Sequence, residues 1–180
     1  RAATMTTPPL AFREDVALAR LTTIGTGGPA RAYAEPRTLS ELEQVLQAAA
    51  HRGLAVATVG LGSNLLAADT GVDALVLRLA GELAAVRAEG TLLVAGGGAT
   101  NAVCLHRARA AALGGFEFAC AIPGTAGGGV WMNAGAYGSD WSEILVRALV
   151  ATADGTGWLT PGELGLSYRH SSLRHGQVVA

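Results

Sequence analysis

Three groups of residues in this chain have the types and spacing to do chemistry. The first is Ala121 to Gly138, AIPGTAGGGVWMNAGAYG, which holds Gly124, Gly127, Gly128, Gly129, Gly135 and Gly138 and no charged residue. Backbone so poor in large side chains can come within contact distance of a flat or phosphorylated ligand and offer its N–H groups as donors. The second is Gly60-Leu-Gly-Ser-Asn64, which follows the apolar run Leu54–Val59. Such a turn, with the Ser63 hydroxyl and the Asn64 amide, can surround a pyrophosphate. The third is Tyr168-Arg-His-Ser171, a planar guanidinium beside a ring and small polar groups. With mostly neutral neighbours, Arg169 is free to bind a ligand carboxylate bidentately.

Each group also has a plainer reading, and the residues alone leave both open. Ala121–Gly138 reads equally as a glycine-rich surface loop, Gly60–Asn64 as a strand-end turn, and Asn133–Gly138 as a tight turn around a packed tyrosine. A lone arginine is commonly a surface charge. Two familiar phosphate sites are excluded. The fingerprint G-x-G-x-x-G needs glycine at position 65, where Leu65 stands, and an NTPase phosphate loop needs a lysine that the chain lacks. Cys104 and Cys120 read as small core residues, and His51, His106, His170 and His175 form no pair at metal-ligand spacing, so no metal is expected.

The elements that must position these groups follow from periodicity and punctuation. Hydrophobic residues make up 50% and charged residues 15%, a globular composition with room for a core. A net charge of -1 without a basic run argues against nucleic acid. No apolar run reaches the roughly 18 residues of a membrane span, and a reducing, cytoplasmic location is expected. Ala30–Ala34 reads as a strand. Thr38 and Glu41 form a capping box, Leu42, Val45, Leu46 and Ala49 share a helix face, and Arg52-Gly53 closes that helix. Leu54–Val59 and Ala74–Leu79 read as strands, and Leu83–Ala88 pairs with Leu92–Ala95 across Gly90. Ala99–Leu113 is a second helix, ended by Gly114-Gly115. Ile144–Thr152 turns at Asp154-Gly155 into Trp158-Leu159, and Pro161–Leu164 is one helical turn. Gln177–Ala180 begins another strand that nothing closes, which reads as a chain cut from something longer. Residues 1–15 are set outside the fold.

The order of five motifs resembles one family. Thr22-Thr-Ile-Gly-Thr-Gly-Gly-Pro-Ala30, Gly60-Leu-Gly-Ser-Asn-Leu-Leu66, Ile122-Pro-Gly-Thr125 with Gly127-Gly128, Met132-Asn-Ala-Gly-Ala-Tyr-Gly138 and Tyr168-Arg-His-Ser171 are similar to the UDP-N-acetylenolpyruvoylglucosamine reductases, also called UDP-N-acetylmuramate dehydrogenases. These are flavoproteins of peptidoglycan precursor synthesis. The likeness runs from Leu21 to Ala180. Gly25 stands where the family often has Arg, Leu61 where it often has Gly, and Ala126 and Gly129 where Val and Ala are usual.

The resemblance implies an α+β FAD-binding domain of the vanillyl-alcohol-oxidase (PCMH-type) fold, with FAD held non-covalently between a lobe at 16–80 and a lobe at 81–180. It implies that Gly60, Leu61, Gly62, Ser63, Asn64 and Leu65 meet the pyrophosphate. Pro123, Gly124, Thr125, Gly127 and Gly128, with Asn133, Ala134, Gly135, Ala136, Tyr137 and Gly138, would line the isoalloxazine and ribityl chain. NADPH would be the reductant, and hydride would pass to the enolpyruvyl double bond of a UDP-sugar. Arg169 would stabilise charge growing at the enolpyruvyl carboxylate, with Tyr168 against the substrate. The family's proton-donating serine and assisting glutamate have no counterpart in these residues, and a monomer is expected. Two other readings stay open. One is a non-catalytic FAD-binding module. The other is an oxidase of the same fold with covalent flavin, ranked last because no His or Cys lies in Pro123–Gly138.

Overall fold

The computed structural model describes residues 12–180. Its first sheet is built from Val16–Ala17 (β1), Pro29–Ala34 (β2), Ala55–Thr58 (β3) and Val72–Leu77 (β4), in the order β1-β2-β4-β3. β1 runs antiparallel to β2, whereas β2 and β3 both run parallel to β4. Strands that run the same way need a crossover, and Leu39–His51 (α1) supplies it between β2 and β3, which flank β4. The Thr38 hydroxyl accepts from the Glu41 N–H at 3.2 Å. The Glu41 carboxylate reaches back to the Arg37 N–H at 2.7 Å, one residue before the partner a strict capping box would use. Leu42, Val45, Leu46 and Ala49 are buried as the periodicity requires, and Gly53 ends the helix at φ +62°.

The second half begins with the hairpin Val86–Glu89 (β5) and Leu92–Ala95 (β6). Asn101–Ala110 (α2) follows, its first turn capped by Thr100. Next come Ala126–Trp131 (α3), the short hairpin Gly135–Ala136 (β7) with Ser139–Asp140 (β8), and the single turn Trp141–Ile144 (α4). Ala148–Thr152 (β9) lies between Gly155–Leu159 (β10) and Val178–Val179 (β11), antiparallel to both. Phe116, Phe118 and Trp141 pack edge to face in the core of this half. The halves are joined by apolar packing: α1 and the first sheet share one core cluster with Leu83, Ala151 and Val178.

Several expectations need correction. Residues 12–15 are not outside the fold, because Arg13 and Tyr33 exchange backbone hydrogen bonds at 2.9 and 2.7 Å; residues 1–11 lie outside the described residues. Gly81–Ala84 is a 3-10 turn, so the strand expected from Leu83 starts only at Val86. α2 ends at Ala110, before Ala112 enters the left-handed region at φ 55°. Ile144 belongs to α4 rather than to β9, because Asp140 caps a helical turn there. Pro161–Leu164 makes the single helical turn expected, closed by Leu164 N–H on Thr160 O, and does not extend into a helix. Among the described residues no helix is long and apolar enough to cross a membrane.

Leu75 is fully buried on β4, the strand flanked by β2 and β3. Leu75→Ala is expected to cost about 2–5 kcal/mol, the range for truncating a buried leucine. Urea unfolding of the two chains measures it.

Candidate functional site

A cleft of about 1140 Å³ opens between the halves. That exceeds the roughly 300–1,000 Å³ of pockets for drug-sized ligands and suits an extended dinucleotide. Gly60–Leu65 forms one wall, and Ile122–Thr125 with the start of α3 forms the other. The two glycine clusters touch. The Ser63 hydroxyl donates to Pro123 O at 2.9 Å, and a Cβ on Gly60 would lie 2.6 Å from Thr125 Oγ1.

The geometry of the Gly60–Asn64 turn is set from behind by Thr23. Its N–H donates to Gly62 O at 3.1 Å and its hydroxyl to Leu61 O at 3.2 Å. In a trans peptide the next N–H points opposite to the carbonyl, so the N–H groups of Gly62 and Ser63 face away from Thr23. The N–H groups of Gly60, Leu61, Gly62, Ser63 and Asn64 donate to no acceptor among the described residues. A run of unspent amide donors at a cleft wall is what an anionic pyrophosphate needs. Thr22 and Thr23 were quoted in the sequence only as part of a motif, and nothing there marked them as the support of this turn.

The second wall is helical, which glycine content alone did not suggest. Thr125 is buried, caps α3 by accepting from Gly128 N–H, and leaves the helix starting in the cleft. Gly127 packs against Gly97, where a Cβ would lie 2.9 Å from the carbonyl oxygen. Gly128 differs: it is exposed in the cleft, and a Cβ there would meet nothing nearer than Thr125 Oγ1 at 3.5 Å.

Arg169 lines the cleft, as do His175 and Trp131. It sits on a tight turn in which Ser167 and His170 exchange backbone hydrogen bonds, and its own φ is +55°. Its Nη2 donates to Gly135 O at 3.0 Å, and its guanidinium carbon lies 5.6 Å from the centre of the Tyr168 ring. The ion pairs among the described residues, Arg31–Asp73 and Arg87–Glu89, leave Arg169 without a carboxylate partner. Tyr168 is 88% exposed.

The residues proposed from sequence do not all share one wall. Gly60–Leu65, Pro123, Gly124, Thr125, Gly127, Gly128 and Ala134 line the cleft together with Arg169. Asn133, Gly135, Ala136 and Gly138 line an adjoining recess of about 360 Å³, which Tyr168 and Arg169 also border. Tyr137 is exposed and lines neither. Sequence reasoning missed Gly97, Gly98, Thr100, Asn101, Trp131 and His175, which also line the cleft. The triplet Gly96-Gly-Gly98 was a usable signal, being bare backbone of the same kind as the other two clusters. Asn101 Nδ2 donates to Ile122 O at 3.1 Å, while its buried Oδ1 has no partner.

Among the described residues no group of three or more His, Cys, Asp and Glu is placed to hold a metal. Cys104 is fully buried, and desolvation pushes its thiol up to about 11, whereas Cys120 is exposed. Only thiolate is nucleophilic, so at about pH 8 Ellman's reagent is expected to label Cys120 alone in the native chain and both thiols after unfolding. Because the folded pKa lies above the unfolded value, the Cys104 contribution to stability is complete at neutral pH and fades as pH rises toward about 11.

A model of the FAD binding domain matches residues 30–159, a span that contains both glycine clusters. The chain belongs to this FAD-binding family. Its architecture is that of the vanillyl-alcohol-oxidase type, and this FAD-binding domain resembles known reductases across nearly its whole length. It is 44% identical over 158 residues to UDP-N-acetylenolpyruvoylglucosamine reductase 2 of Symbiobacterium thermophilum, covering 87% of this chain and 51% of the relative. The crystal structure of UDP-N-acetylenolpyruvylglucosamine reductase from Thermus caldophilus superposes with a TM-score of 0.78 at 33% identity, over 94% of this chain and 62% of that one. A solvent-stable cholesterol oxidase shares the fold at a TM-score of 0.66 and 17% identity, over 89% of this chain and 35% of that one. The chain thus spans about half the length of the reductase relatives it matches. The site suits FAD: free amide donors face a cleft of dinucleotide size, and bare backbone at Gly124 and Gly128 leaves room for a flat ring.

Proposed function

We propose that this chain is the cofactor-holding part of a cytoplasmic, monomeric reductase that converts UDP-N-acetylenolpyruvoylglucosamine to UDP-N-acetylmuramate with NADPH. One observation carries the reading: two glycine clusters far apart in sequence meet across a single cleft, joined by the Ser63–Pro123 hydrogen bond, and Arg169 lines the same cleft. FAD, bound non-covalently, supplies hydride transfer between NADPH and the enol ether. The amides of Gly60–Asn64 hold the diphosphate. Ile122–Thr125 and the first turn of α3 bound the ring and exclude water from one side of it. Tyr168 contacts the substrate. Arg169 keeps one guanidinium nitrogen on Gly135 O and presents the remaining donors to the enolpyruvyl carboxylate, where negative charge grows as hydride adds to the double bond.

Titrating the purified chain with FAD tests the first part. A saturable perturbation of the flavin spectrum is expected, with all flavin released by acid precipitation. Free-flavin spectra throughout would remove the cofactor assignment, and flavin retained in the acid pellet would remove the non-covalent one.

A further inference from the structure

We infer that Asn133 is a positioning residue for Arg169: its side-chain amide fixes the turn that carries the guanidinium. This rests on the reading of Arg169 as the partner of the substrate carboxylate. Asn133 is 3% exposed, and both ends of its amide are occupied by backbone of the chain itself. Nδ2 donates to Ser167 O at 3.0 Å, across 34 positions of sequence, and Oδ1 accepts from Ser142 N–H at 2.9 Å. Ser167 is the residue that opens the Tyr168-Arg169 turn.

Two further bonds join the same two segments. Arg169 Nη2 donates to Gly135 O at 3.0 Å, and the Ser171 hydroxyl donates to Trp131 O at 2.6 Å. The turn is therefore held at its start by Asn133, at its tip by Gly135 and at its end by Trp131. Asn133 itself stands in the left-handed region at φ 41°, a conformation that asparagine tolerates better than most residues. From there its amide spans β8–α4 on one side and the arginine turn on the other.

The neighbours of Asn133 stay satisfied without it. Ser167 O also accepts from His170 N–H at 3.1 Å, and Ser142 N–H also donates to Asp140 Oδ1 at 2.9 Å. The amide is thus spare for hydrogen-bond satisfaction, and its distinct contribution is the direction in which the turn points. A reacting group displaced by about 1 Å can cost about 10²-fold in rate.

The test is a double-mutant cycle on the full-length, FAD-loaded reductase that carries these residues, with UDP-N-acetylenolpyruvoylglucosamine as substrate. Asn133→Gly accepts the backbone angle and loses both bonds. Asn133→Asp keeps an acceptor for Ser142 N–H but sets a carboxylate oxygen against Ser167 O. Both variants are expected to lower kcat for the sugar nucleotide about 10–10²-fold and to lower Tm, Asn133→Asp the more because it buries a carboxylate against a carbonyl, while FAD content and the rate of flavin reduction by NADPH stay at wild-type values. Placed in an Arg169→Ala background, Asn133→Gly is expected to add nothing. Equal losses in both backgrounds, loss of FAD, slowed flavin reduction by NADPH, or full activity in Asn133→Asp would each overturn the positioning role. An Arg169→Ala enzyme with wild-type kcat would instead remove the reading of Arg169 itself, and the role of Asn133 with it.

Discussion

Gly128→Leu should fold at least as well as the parent chain and fail to hold FAD. Gly128 lies inside α3, where leucine is favoured over glycine by somewhat less than about 1 kcal/mol. Its missing Cβ faces the cleft and would meet nothing nearer than Thr125 Oγ1 at 3.5 Å, an ordinary contact. The new side chain does occupy the space between the two walls. Forcing extra methylenes into a filled site costs about 1–3 kcal/mol, which is about 5–150-fold in Kd. Thermal unfolding of the apo chain and FAD titration read the two effects separately. Gly62→Ala makes the opposite case. Gly62 is at φ +66°, and a Cβ there would lie 2.0 Å from Leu21 O, so this substitution should disrupt the turn itself and lower Tm as well as affinity. If Gly128→Leu bound FAD as the parent does, the first turn of α3 would not face the cofactor.

This contrast also explains how much of the site was legible in the amino-acid sequence. The glycines marked two segments that line one cleft, but glycine has two reasons to be there, and composition cannot tell them apart. Gly62 and Gly127 admit neighbouring backbone, whereas Gly124 and Gly128 leave space. Only the contact across Ser63 and Pro123 shows that the clusters share a cleft. α1 was readable because its caps and its apolar stripe are local and agree. α3 was not: three of its six residues are glycine, the poorest helix former after proline, and it is held by Thr125 at its start and by packing on Gly97 and Trp141. Asn133 was read beside the cofactor because it adjoins the glycines. Its partners, Ser142 and Ser167, are distant in sequence, and no local pattern announces them. Arg169 was legible as an arginine without a carboxylate neighbour, whereas its tether to Gly135 O depends on the tertiary fold.

Replacing Arg169 should produce the largest loss of turnover. On the proposed function, Arg169→Ala in the full-length, FAD-loaded reductase is expected to lose about 10²–10³-fold in kcat, the range seen when one preorganised donor to developing charge is removed. Arg169→Lys discriminates between charge and geometry. A lysine keeps the positive charge but offers a compact ammonium in place of a planar fork. In the present arrangement one arm of the fork is committed to Gly135 O, and the guanidinium is thereby held at a fixed angle to the cleft. An ammonium group that binds the same carbonyl has no rigid second arm to aim at the carboxylate. Arg169→Lys should therefore recover little of what Arg169→Ala loses, while flavin reduction by NADPH proceeds in both. Because Arg169 is exposed and belongs to no ion pair among the described residues, neither substitution should change Tm appreciably. Steady-state rates with the sugar nucleotide, set beside anaerobic flavin reduction, separate the two half-reactions. Full recovery in Arg169→Lys would mean that charge alone suffices, and the tether to Gly135 would then have no part in turnover.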